Sequence, residues 1–408
     1  MAQPLSPVGA PLDGVRVLDF GHILAGPYCA RLLGDLGADV VKVESRSRTE
    51  GMGRTHLGAS YKGRRDRSPH MLMTNRNKRS VTLNLKTPSG VEVASRLAAV
   101  ADVLVENFSA GAMDRLGLGY EDLQPKNPRL VYLSLSGYGH DGPRRAWTSM
   151  NLNLQAYSGL MMTTGEEGDP PTTIAASWND YLGALHGCVA VLNALVERTK
   201  TGAGANLDLS QFECSVASLG PLLMAGAVNK SAPLRMGNRA ADAAPQGCYR
   251  CSGRDEWCVI SVRNDGQWQA LVSLLAEVPE LRDSQFTTLE GRLKHHDELD
   301  VLIERWTINR SNAEIETCLK AAGVPAERMR RTGDLLADPT SSRLFQAVED
   351  PPGHRQLMSK LPFAFSRSSV AEPSRAPLVG EHTTKILEEW LGLGARDIEQ
   401  LEAKGALV

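Results

Sequence analysis

The sequence lacks the features that mark several large classes of protein. No apolar run reaches the ~18 residues that a membrane-spanning helix needs. The 408 residues carry 45 Lys and Arg against 47 Asp and Glu, so no excess of positive charge is available for nucleic acid or an anionic membrane. The chain begins MAQPLSPVGAPLDG, without the basic and apolar segments of a signal peptide. We therefore expect a cytoplasmic protein with neither a membrane nor a nucleic-acid partner.

Cysteine is also scarce, with seven residues in the whole chain. An odd number without a signal peptide favours reduced thiols. Cys248 and Cys251 form a CxxC pair, but a zinc site needs a second pair of ligands at suitable spacing, and the sequence has none. A redox CxxC is expected at a strand-to-helix turn, whereas this pair lies in a predicted hairpin. We expect a structural role for these cysteines and no metal.

Nucleotide-binding motifs are missing as well, although the N-terminal pattern invites the search. Residues 15–20 and 39–44 are predicted strands, with a predicted helix between them, which makes a βαβ unit. Gly21 and Gly26 do not give the GxGxxG of a dinucleotide site, and no Lys-Ser or Lys-Thr follows as in a P-loop. We expect no NAD and no ATP here. The basic loop 45–79 suits a solvated surface and nucleotide phosphates equally well.

What the sequence does contain is a regular alternation of strands and helices. Further strands are predicted at 80–85, 102–107 and 130–136, with helical segments between them. Such alternation is typical of an α/β fold with a parallel sheet, whose ligands bind at the carboxyl ends of the strands. Those ends carry the following residues: His22, Glu44, Asn107, Phe108, Gly137, Tyr138 and Gly139.

The character of the chain changes after the first half. A hairpin pattern at 247–262 and helical patterns further on predict a smaller α+β domain. The expected organisation is a large α/β domain over 1–225, to which 379–408 return, and a small domain over 245–340. Two linkers are expected, at 226–244 and 341–378.

Asp180 lies where a loop rich in Gly, Thr and Pro becomes the longest helical pattern, which runs to Thr199. Gln211 to Met224 is predicted as a second, apolar helix. An Asp at the start of a helix is usually an N-cap, because its carboxylate accepts a hydrogen bond from a free backbone N–H. From local sequence alone, we interpret Asp180 as an N-cap.

Several stretches in the same order along the chain resemble the class III CoA-transferases, the family of formyl-CoA transferase and carnitine CoA-transferase. The resemblance implies a Rossmann-like large domain, a smaller domain and two subunits that interlock, as a homodimer or as a heteromer with a paralogue. The matching stretches are residues 11–20, 25–27, 36–44, 77–80, 105–108, 111–115, 137–139, 142–143, 201–204 and 375–383.

The same resemblance implies that Asp180 is a covalent nucleophile. CoA moves from an acyl-CoA donor, of which succinyl-CoA is common in the family, to a carboxylic acid through an aspartyl anhydride and an aspartyl-CoA thioester. CoA and acyl-CoA are therefore expected as substrates. The residues expected to contact CoA are Ile23, Leu24, Lys78, Arg79, Asn107, Phe108, Arg115, Ser136, Gly137 and Tyr138.

Two other functions stay open at this point. The α-methylacyl-CoA racemases share the fold and the Asp, but they add a His as a second base, and Met150 stands in its place. A CoA-binding subunit without chemistry, paired with an active paralogue, is the other alternative. Residues 237–243 also lack the glycine-rich loop of formyl-CoA transferase, which makes formyl-CoA and oxalate doubtful substrates. His22 suits either the active site or a structural role.

Overall fold

The protein is described by a computed structural model that covers residues 9–46, 69–230, 235–350, 354–370 and 372–407. The basic residues 62–67 lie outside this described part. The chain divides into two compact units. The first takes the described residues of Met1–Leu160, Thr173–Met224 and Arg343–Val408, and the second those of Met161–Thr172 and Ala225–Ser342.

A parallel six-stranded sheet forms the centre of the first unit, and its order is β3-β2-β1-β4-β5-β6. The order in which the chain adds strands to the sheet reverses between β1 and β4, although the strands stay parallel. Open α/β sheets bind ligands at such a point, outside the carboxyl ends of the strands. The predicted α/β fold is therefore confirmed. The strands are β1 (Arg16–Asp19), β2 (Asp39–Glu44), β3 (Lys78–Thr82), β4 (Val103–Glu106), β5 (Val131–Ser136) and β6 (Ala205–Ser210).

Helices cover both faces of this sheet. In the first unit they are α1 (Ala25–Asp35), α2 (Pro69–Asn75), α3 (Pro88–Ala99), α4 (Tyr120–Leu123), α5 (Asn151–Tyr157), α6 (Trp178–Thr201) and α7 (Gln211–Ser218). Helix α8 (Gly220–Asn229) follows. The predicted helix over 211–224 is wrong, because Pro221 has no N–H and its ring clashes with the preceding turn, so the chain breaks at Leu219.

The two faces of the sheet have separate apolar cores, as the alternation of side chains in a strand requires. Val17 points into the core shared with α1 and α6, and its neighbour Leu18 points into the other. The C-terminal segment completes that second core, since Ile386 and Trp390 are buried there. No helix in the described ranges is long and apolar enough to cross a membrane.

The second unit is built on a three-stranded antiparallel sheet, β7 (Gln246–Arg250), β8 (Trp257–Ser261) and β9 (Ala326–Arg328). The predicted hairpin that contains Cys248 and Cys251 is thus confirmed, and both thiols are free. The helices of this unit are α9 (Asp265–Leu274), α10 (Leu289–Lys294), α11 (His296–Thr307), α12 (Asn312–Ala321) and α13 (Thr332–Ala337).

The chain then returns to the first unit. Residues 341–378, predicted as a linker, contain the antiparallel strands β10 (Phe345–Asp350) and β11 (His354–Ser359). Helices α14 (Thr383–Leu391) and α15 (Ala395–Ala403) end the described chain.

Candidate active site

Asp180 lies in the first turn of α6, three residues after the N-cap. The N-cap is Ser177, so the N-cap interpretation of Asp180 is wrong. Ser177 and Ala176 both have left-handed backbone angles, with φ of 55° and 63°, and the Ser177 side chain makes no capping hydrogen bond. Two such residues in succession are uncommon outside glycine, and backbone strain of this kind is concentrated at functional sites.

The Asp180 carboxyl group opens into a cavity of about 260 Å³ at the carboxyl ends of the strands. Loops that are far apart in the sequence meet around it, and the predicted residues Ile23, Leu24, Asn107 and Gly137 are among them. The residues that line the cavity are Ile23, Leu24, His70, Asn107, Leu135, Gly137, Ser149, Met150, Asn151, Ser177, Asp180 and Gln211.

Burial dominates the electrostatics of Asp180. It raises the pKa of the carboxyl group to about 6, against the lowering effect of a hydrogen bond from the Gln211 side chain and of Asp180's own backbone N–H. No Lys, Arg or His of the described residues is among the groups that shift this pKa. The result is a carboxylate that is ionised at neutral pH, is poorly solvated and has no counter-ion in the part of the chain that the structure describes.

The loop after β1 is fastened to the loop after β4 by a reciprocal pair of hydrogen bonds. The His22 backbone N–H donates to Asn107 Oδ1 at 2.7 Å, and Asn107 Nδ2 donates to the His22 carbonyl at 2.9 Å. The His22 ring packs edge-to-face on Phe108, with centroids 4.9 Å apart. A Cβ at Gly26 would lie 2.8 Å from Asn107 Oδ1, so this approach requires glycine. His22, left open by the sequence, thus helps to join two cavity loops.

Ile23 follows in a strained conformation, with φ of 64°. This angle is unusual for a β-branched residue. Its carbonyl oxygen lies 2.7 Å from His70 Nε2, at hydrogen-bond distance. His70 belongs to α2, within a stretch that sequence reasoning treated only as a basic loop, and no pattern there pointed to a cavity residue.

Lys78 was expected to contact CoA, but it lies inside the protein beneath the first loop. Its ammonium group donates to Asp19 at 2.7 Å, to the Pro27 carbonyl at 2.7 Å and to Asn75 Oδ1 at 2.8 Å. Its side chain is fully buried. Because these bonds use all three ammonium protons, the structure argues against a CoA contact and assigns Lys78 to support of the loop.

Arg79 points away from the cavity as well. Its guanidinium group donates to the Asp39 carboxylate and pairs with Glu389. Asp39 begins β2 at the amino edge of the sheet, opposite the edge that carries the cavity. The structure therefore also argues against a CoA contact for Arg79.

The remaining predicted CoA residues do not line the cavity. Phe108 is half-buried next to Asn107, and Arg115 is exposed on a single 3₁₀ turn, Asp114–Leu116. The Ser136 hydroxyl is buried at the end of β5 and has no partner among the described residues. Tyr138 packs in a cluster of aromatic rings with Trp147, Tyr157 and Phe212.

Ser149 and Gln211 are lining residues that sequence reasoning missed, as it missed His70. A Cβ at Gly137 would lie 2.1 Å from Ser149 Oγ, so Ser149 occupies the space that makes glycine necessary there. Gln211 follows β6 directly and starts α7, and its position after a parallel strand was a signal that could have found it. Ser149 lies in an irregular loop and offered no such signal.

Comparison with known proteins adds to this geometry. A family model described as "CoA-transferase family III" matches residues 12–383. The chain is 32% identical to "Succinyl-CoA--D-citramalate CoA-transferase" of Chloroflexus aurantiacus, over 97% of each chain. It is 31% identical to human "Succinyl-CoA:glutarate CoA-transferase", over 97% of this chain and 90% of the relative. A solved CAIB/BAIF family protein from Brucella suis is 33% identical with a TM-score of 0.86, covering 94% of this chain and 100% of that one.

Proposed function

Because the chain belongs to CoA-transferase family III and is therefore a CoA-transferase, we propose that Asp180 is its covalent nucleophile. The observation that carries this proposal is the position of Asp180, a desolvated carboxylate with no counter-ion among the described residues, in a cavity formed by strand-end loops. A poorly solvated carboxylate is a stronger nucleophile than one that is paired or hydrated, because less stabilisation is lost when it attacks. The chemistry needs such a group.

The reaction proceeds by exchange of acyl bonds at Asp180. One carboxylate oxygen attacks the thioester carbonyl of the donor, the C–S bond breaks, and a mixed anhydride and CoA thiolate result. The thiolate then attacks the Asp180 carbonyl carbon, and the anhydride C–O bond breaks to release the donor acid. Aspartyl-CoA thioester remains, and the acceptor carboxylate takes the CoA by the same steps in reverse. No net proton or electron is transferred.

The start of α6 suits the oxyanions that form in these steps. Partial positive charge collects at a helix N-terminus, where the first N–H groups have no partner within the helix. Because the Ser177 side chain does not cap α6, it does not occupy these donors. Donors fixed in place before the reaction stabilise a developing negative charge without having to reorganise.

We propose that the CoA moiety lies along the neighbouring strand-end loops. Ile23, Leu24, Asn107 and Gly137 line the cavity and suit the pantetheine arm next to the thioester. Phe108, Ser136 and Tyr138 lie just beyond them. Arg115 is exposed on the turn that follows β4 and suits a phosphate of the nucleotide.

Succinyl-CoA is the proposed donor and a dicarboxylic acid the proposed acceptor, because the names of both curated relatives give a succinyl-CoA donor and such an acceptor.

The loop that follows Gly137 supports an acid with an apolar body. Arg144 stacks on Trp147 and Tyr157, at 5.6 and 4.9 Å from the ring centroids. Assay of a panel of dicarboxylic and aryl-substituted acids with succinyl-CoA checks this proposal, and turnover of short polar monocarboxylic acids alone would overturn it.

The alternatives lose support at two residues. Met150 lines the cavity, and a thioether cannot take the proton that the second base of a racemase takes. A subunit without chemistry has no need of a desolvated Asp180 carboxylate in the cavity. Exchange of the α-proton of an acyl-CoA in D2O, without an acceptor acid, would favour the racemase.

We also propose a Rossmann-like large domain and an interlocked dimer, as a homodimer or with a paralogue. The strand order 3-2-1-4-5-6 supports the first. An exposed apolar stripe along α6 supports a partner subunit: Leu185, Val189 and Val196 are all more than half exposed and are spaced to share one face. Free thiols support a cytoplasmic location. Light scattering at falling protein concentration tests the dimer, because interlocked subunits should not separate on dilution.

Mass spectrometry tests the reaction and the site together. After incubation with succinyl-CoA and no acceptor, the peptide that contains Asp180 should carry a CoA adduct that hydroxylamine or borohydride removes. Asp180→Asn should neither form the adduct nor turn over. An adduct on another residue, or full turnover by the Asn variant, would falsify the assignment of Asp180.

A further inference from the structure

Gln211 has a polar side chain that interacts with the Asp180 carboxyl group and that the proposed mechanism has not used. It is the first residue of α7, directly after β6, and Ser210 caps this helix by accepting a hydrogen bond from Glu213 N–H. Gln211 is 7% exposed, although it lines the same cavity as Asp180. A buried amide at a cavity wall is costly unless its hydrogen bonds are used.

The position of Gln211 relative to Asp180 is fixed by its neighbours. The Ser215 hydroxyl donates to the Gln211 carbonyl at 2.9 Å and accepts from Asn179 Nδ2 at 2.7 Å. Asn179 precedes Asp180 and is completely buried, so the first turn of α6 is fastened to the first turns of α7. The next residue, Phe212, donates its backbone N–H to the carbonyl of Gly137, itself a lining residue.

The Gln211 side chain is also held from the other side. A Cβ at Gly183 would lie 3.1 Å from Gln211 Cγ, so the Gln211 stem packs against a bare stretch of α6 one turn after Asp180. From there, the amide lies beside the Asp180 carboxyl group in the cavity that both residues line, and it favours the ionised form of that group. The amide is neutral, so it can orient the carboxylate without the charge that would neutralise it as a nucleophile.

We propose that Gln211 is a second catalytic residue, whose amide N–H holds one oxygen of the Asp180 carboxylate and then stabilises the oxyanion that forms on that oxygen. The inference rests on the proposed function of Asp180. In the ground state, Gln211 holds one oxygen of the Asp180 carboxylate, and the other oxygen is free to attack the thioester. When the CoA thiolate later adds to the Asp180 carbonyl, the S–C bond forms and the carbonyl electron pair moves onto the held oxygen.

The tetrahedral intermediate then collapses, the C–O bond to the donor acyl group breaks, and the donor acid leaves as a carboxylate. Gln211 gives up no proton in any of these steps. Its hydrogen bond is stronger to the oxyanion than to the anhydride carbonyl that precedes it, and only such differential stabilisation speeds a reaction. Gln211 should therefore act mainly on kcat.

Gln211→Met tests the proposal, because Met keeps the length and volume of Gln but cannot donate. Loss of one oxyanion donor should lower kcat by about 10²- to 10³-fold with little change in the KM for acyl-CoA. The acid limb of the pH profile should move to higher pH, since a hydrogen bond that favours the ionised Asp180 has gone. Gln211→Glu should move it further, because it places a like charge beside Asp180. Gln269→Met, at an exposed position of α9 in the second unit, is the matched control and should leave kcat unchanged.

The outcomes separate this inference from the proposed function. If the wild-type protein forms the Asp180 adduct while Gln211→Met keeps the wild-type kcat and acid limb, the role of Gln211 is overturned alone. A change confined to KM would overturn it too, since it would indicate a binding contact.

If the wild-type protein forms no adduct, the proposed function fails, yet the contact can still be tested without substrate. The pKa of Asp180 in free protein labelled with ¹³C-aspartate, assigned by its loss in Asp180→Asn, should be higher in Gln211→Met. Circular dichroism and thermal unfolding of each variant separate these effects from misfolding. A Gln211→Met protein that has lost its fold would leave the Gln211→Glu variant to decide.

Discussion

Asn179 Nδ2 donates a hydrogen bond of 2.7 Å to Ser215 Oγ, and neither residue is exposed to solvent. The bond connects the first turn of α6, which carries Asp180, to α7, which carries Gln211. Since the Ser215 hydroxyl donates a hydrogen bond of 2.9 Å to the Gln211 carbonyl, these contacts form one buried network. Asp180 and Gln211, the two groups that we propose to take part in the transfer, are therefore positioned by Asn179 and Ser215, which contact neither substrate.

We predict that Ser215→Ala weakens both the fold and the activity. It leaves the Asn179 amide buried without an acceptor, which should lower the free energy of unfolding by about 1–3 kcal/mol. It should also lower kcat, because Gln211 loses an anchor. Urea unfolding and steady-state kinetics measure the two effects. Ser218→Ala is the matched control, since its hydroxyl donates to the Ser215 carbonyl one turn back in α7, and an equal loss in both variants would contradict the prediction.

Asp180→Asn should abolish turnover and stabilise the protein at neutral pH. Burial raises the pKa of the folded carboxyl group from 3.8 to about 6. For an acid whose pKa is raised by folding, stability is highest while the group is protonated, and it falls as pH rises from the unfolded pKa through the folded one. Above this window the ionised Asp180 costs about 3 kcal/mol, which the Asn variant avoids.

Thermal unfolding of both proteins at several pH values checks the sign. The variant should have the higher Tm at about pH 7.5, and the difference should shrink toward zero near pH 4, where Asp180 is protonated in the folded protein. The same pKa predicts that kcat/KM of the wild-type enzyme falls below about pH 6, because the nucleophile becomes protonated. A Tm difference that does not change with pH would show that burial does not destabilise the ionised Asp180 carboxylate.

Two glycines of α6 allow a matched comparison. Gly183→Ala and Gly187→Ala should each gain up to about 1 kcal/mol of helix propensity, and each adds a Cβ to a tight contact. At Gly183 that Cβ lies 3.1 Å from Gln211 Cγ, and at Gly187 it lies 3.0 Å from Leu133 Cδ2 in the sheet core. We therefore expect Gly183→Ala to lower kcat by roughly tenfold, whereas Gly187→Ala changes stability alone. Equal kcat values in the two variants would exclude steric coupling through Gln211.

Much of the sheet was predictable because the signals for strands and helices are local. β2 has the predicted bounds, and β5 begins one residue later than predicted and ends where predicted. The start of α6 was not predictable in the same way. Its N-cap, Ser177, lies in a left-handed conformation that no local preference of serine would suggest.

The residues of the candidate site also fall into two groups, those that a sequence rule predicted and those that depend on tertiary contacts. Asn107 and Gly137 were found because each follows a strand of the parallel sheet, which is a rule of topology. The burial of Lys78 depends on Asp19, 59 residues earlier in the chain, and its sequence neighbours give no sign of this pairing. Gln211 approaches Asp180 only because two separate helices start side by side. The resemblance to a family supplied the nucleophile, and tertiary contacts supplied its surroundings.

Lys78→Met should destabilise the first unit by about 3–5 kcal/mol, because it leaves the Asp19 carboxylate buried without its closest cation. Lys78 and Lys42 together keep the pKa of Asp19 below its usual value despite complete burial. Lys42 Nζ donates to the Gly21 carbonyl at 2.7 Å, so both lysines support the loop that carries His22 and Ile23. The free energy of unfolding from urea titration measures the loss. A Lys78→Met protein that is as stable as wild type but has a raised KM for acyl-CoA would favour the CoA contact expected from the sequence.

Arg115 and Arg79 give opposite predictions for CoA binding. Arg115 is exposed beyond the carboxyl end of β4, and Arg115→Ala should raise the KM for acyl-CoA by roughly tenfold with little effect on stability, as loss of a charge-assisted phosphate contact does. Arg79 is bound to Asp39 and Glu389 at the opposite edge of the sheet. Arg79→Ala should therefore lower the Tm and leave KM unchanged. Kinetics with acyl-CoA and with an acyl-pantetheine, which lacks the nucleotide, complete the test: the effect of Arg115→Ala should disappear with the shorter substrate, because the phosphate that it contacts is absent.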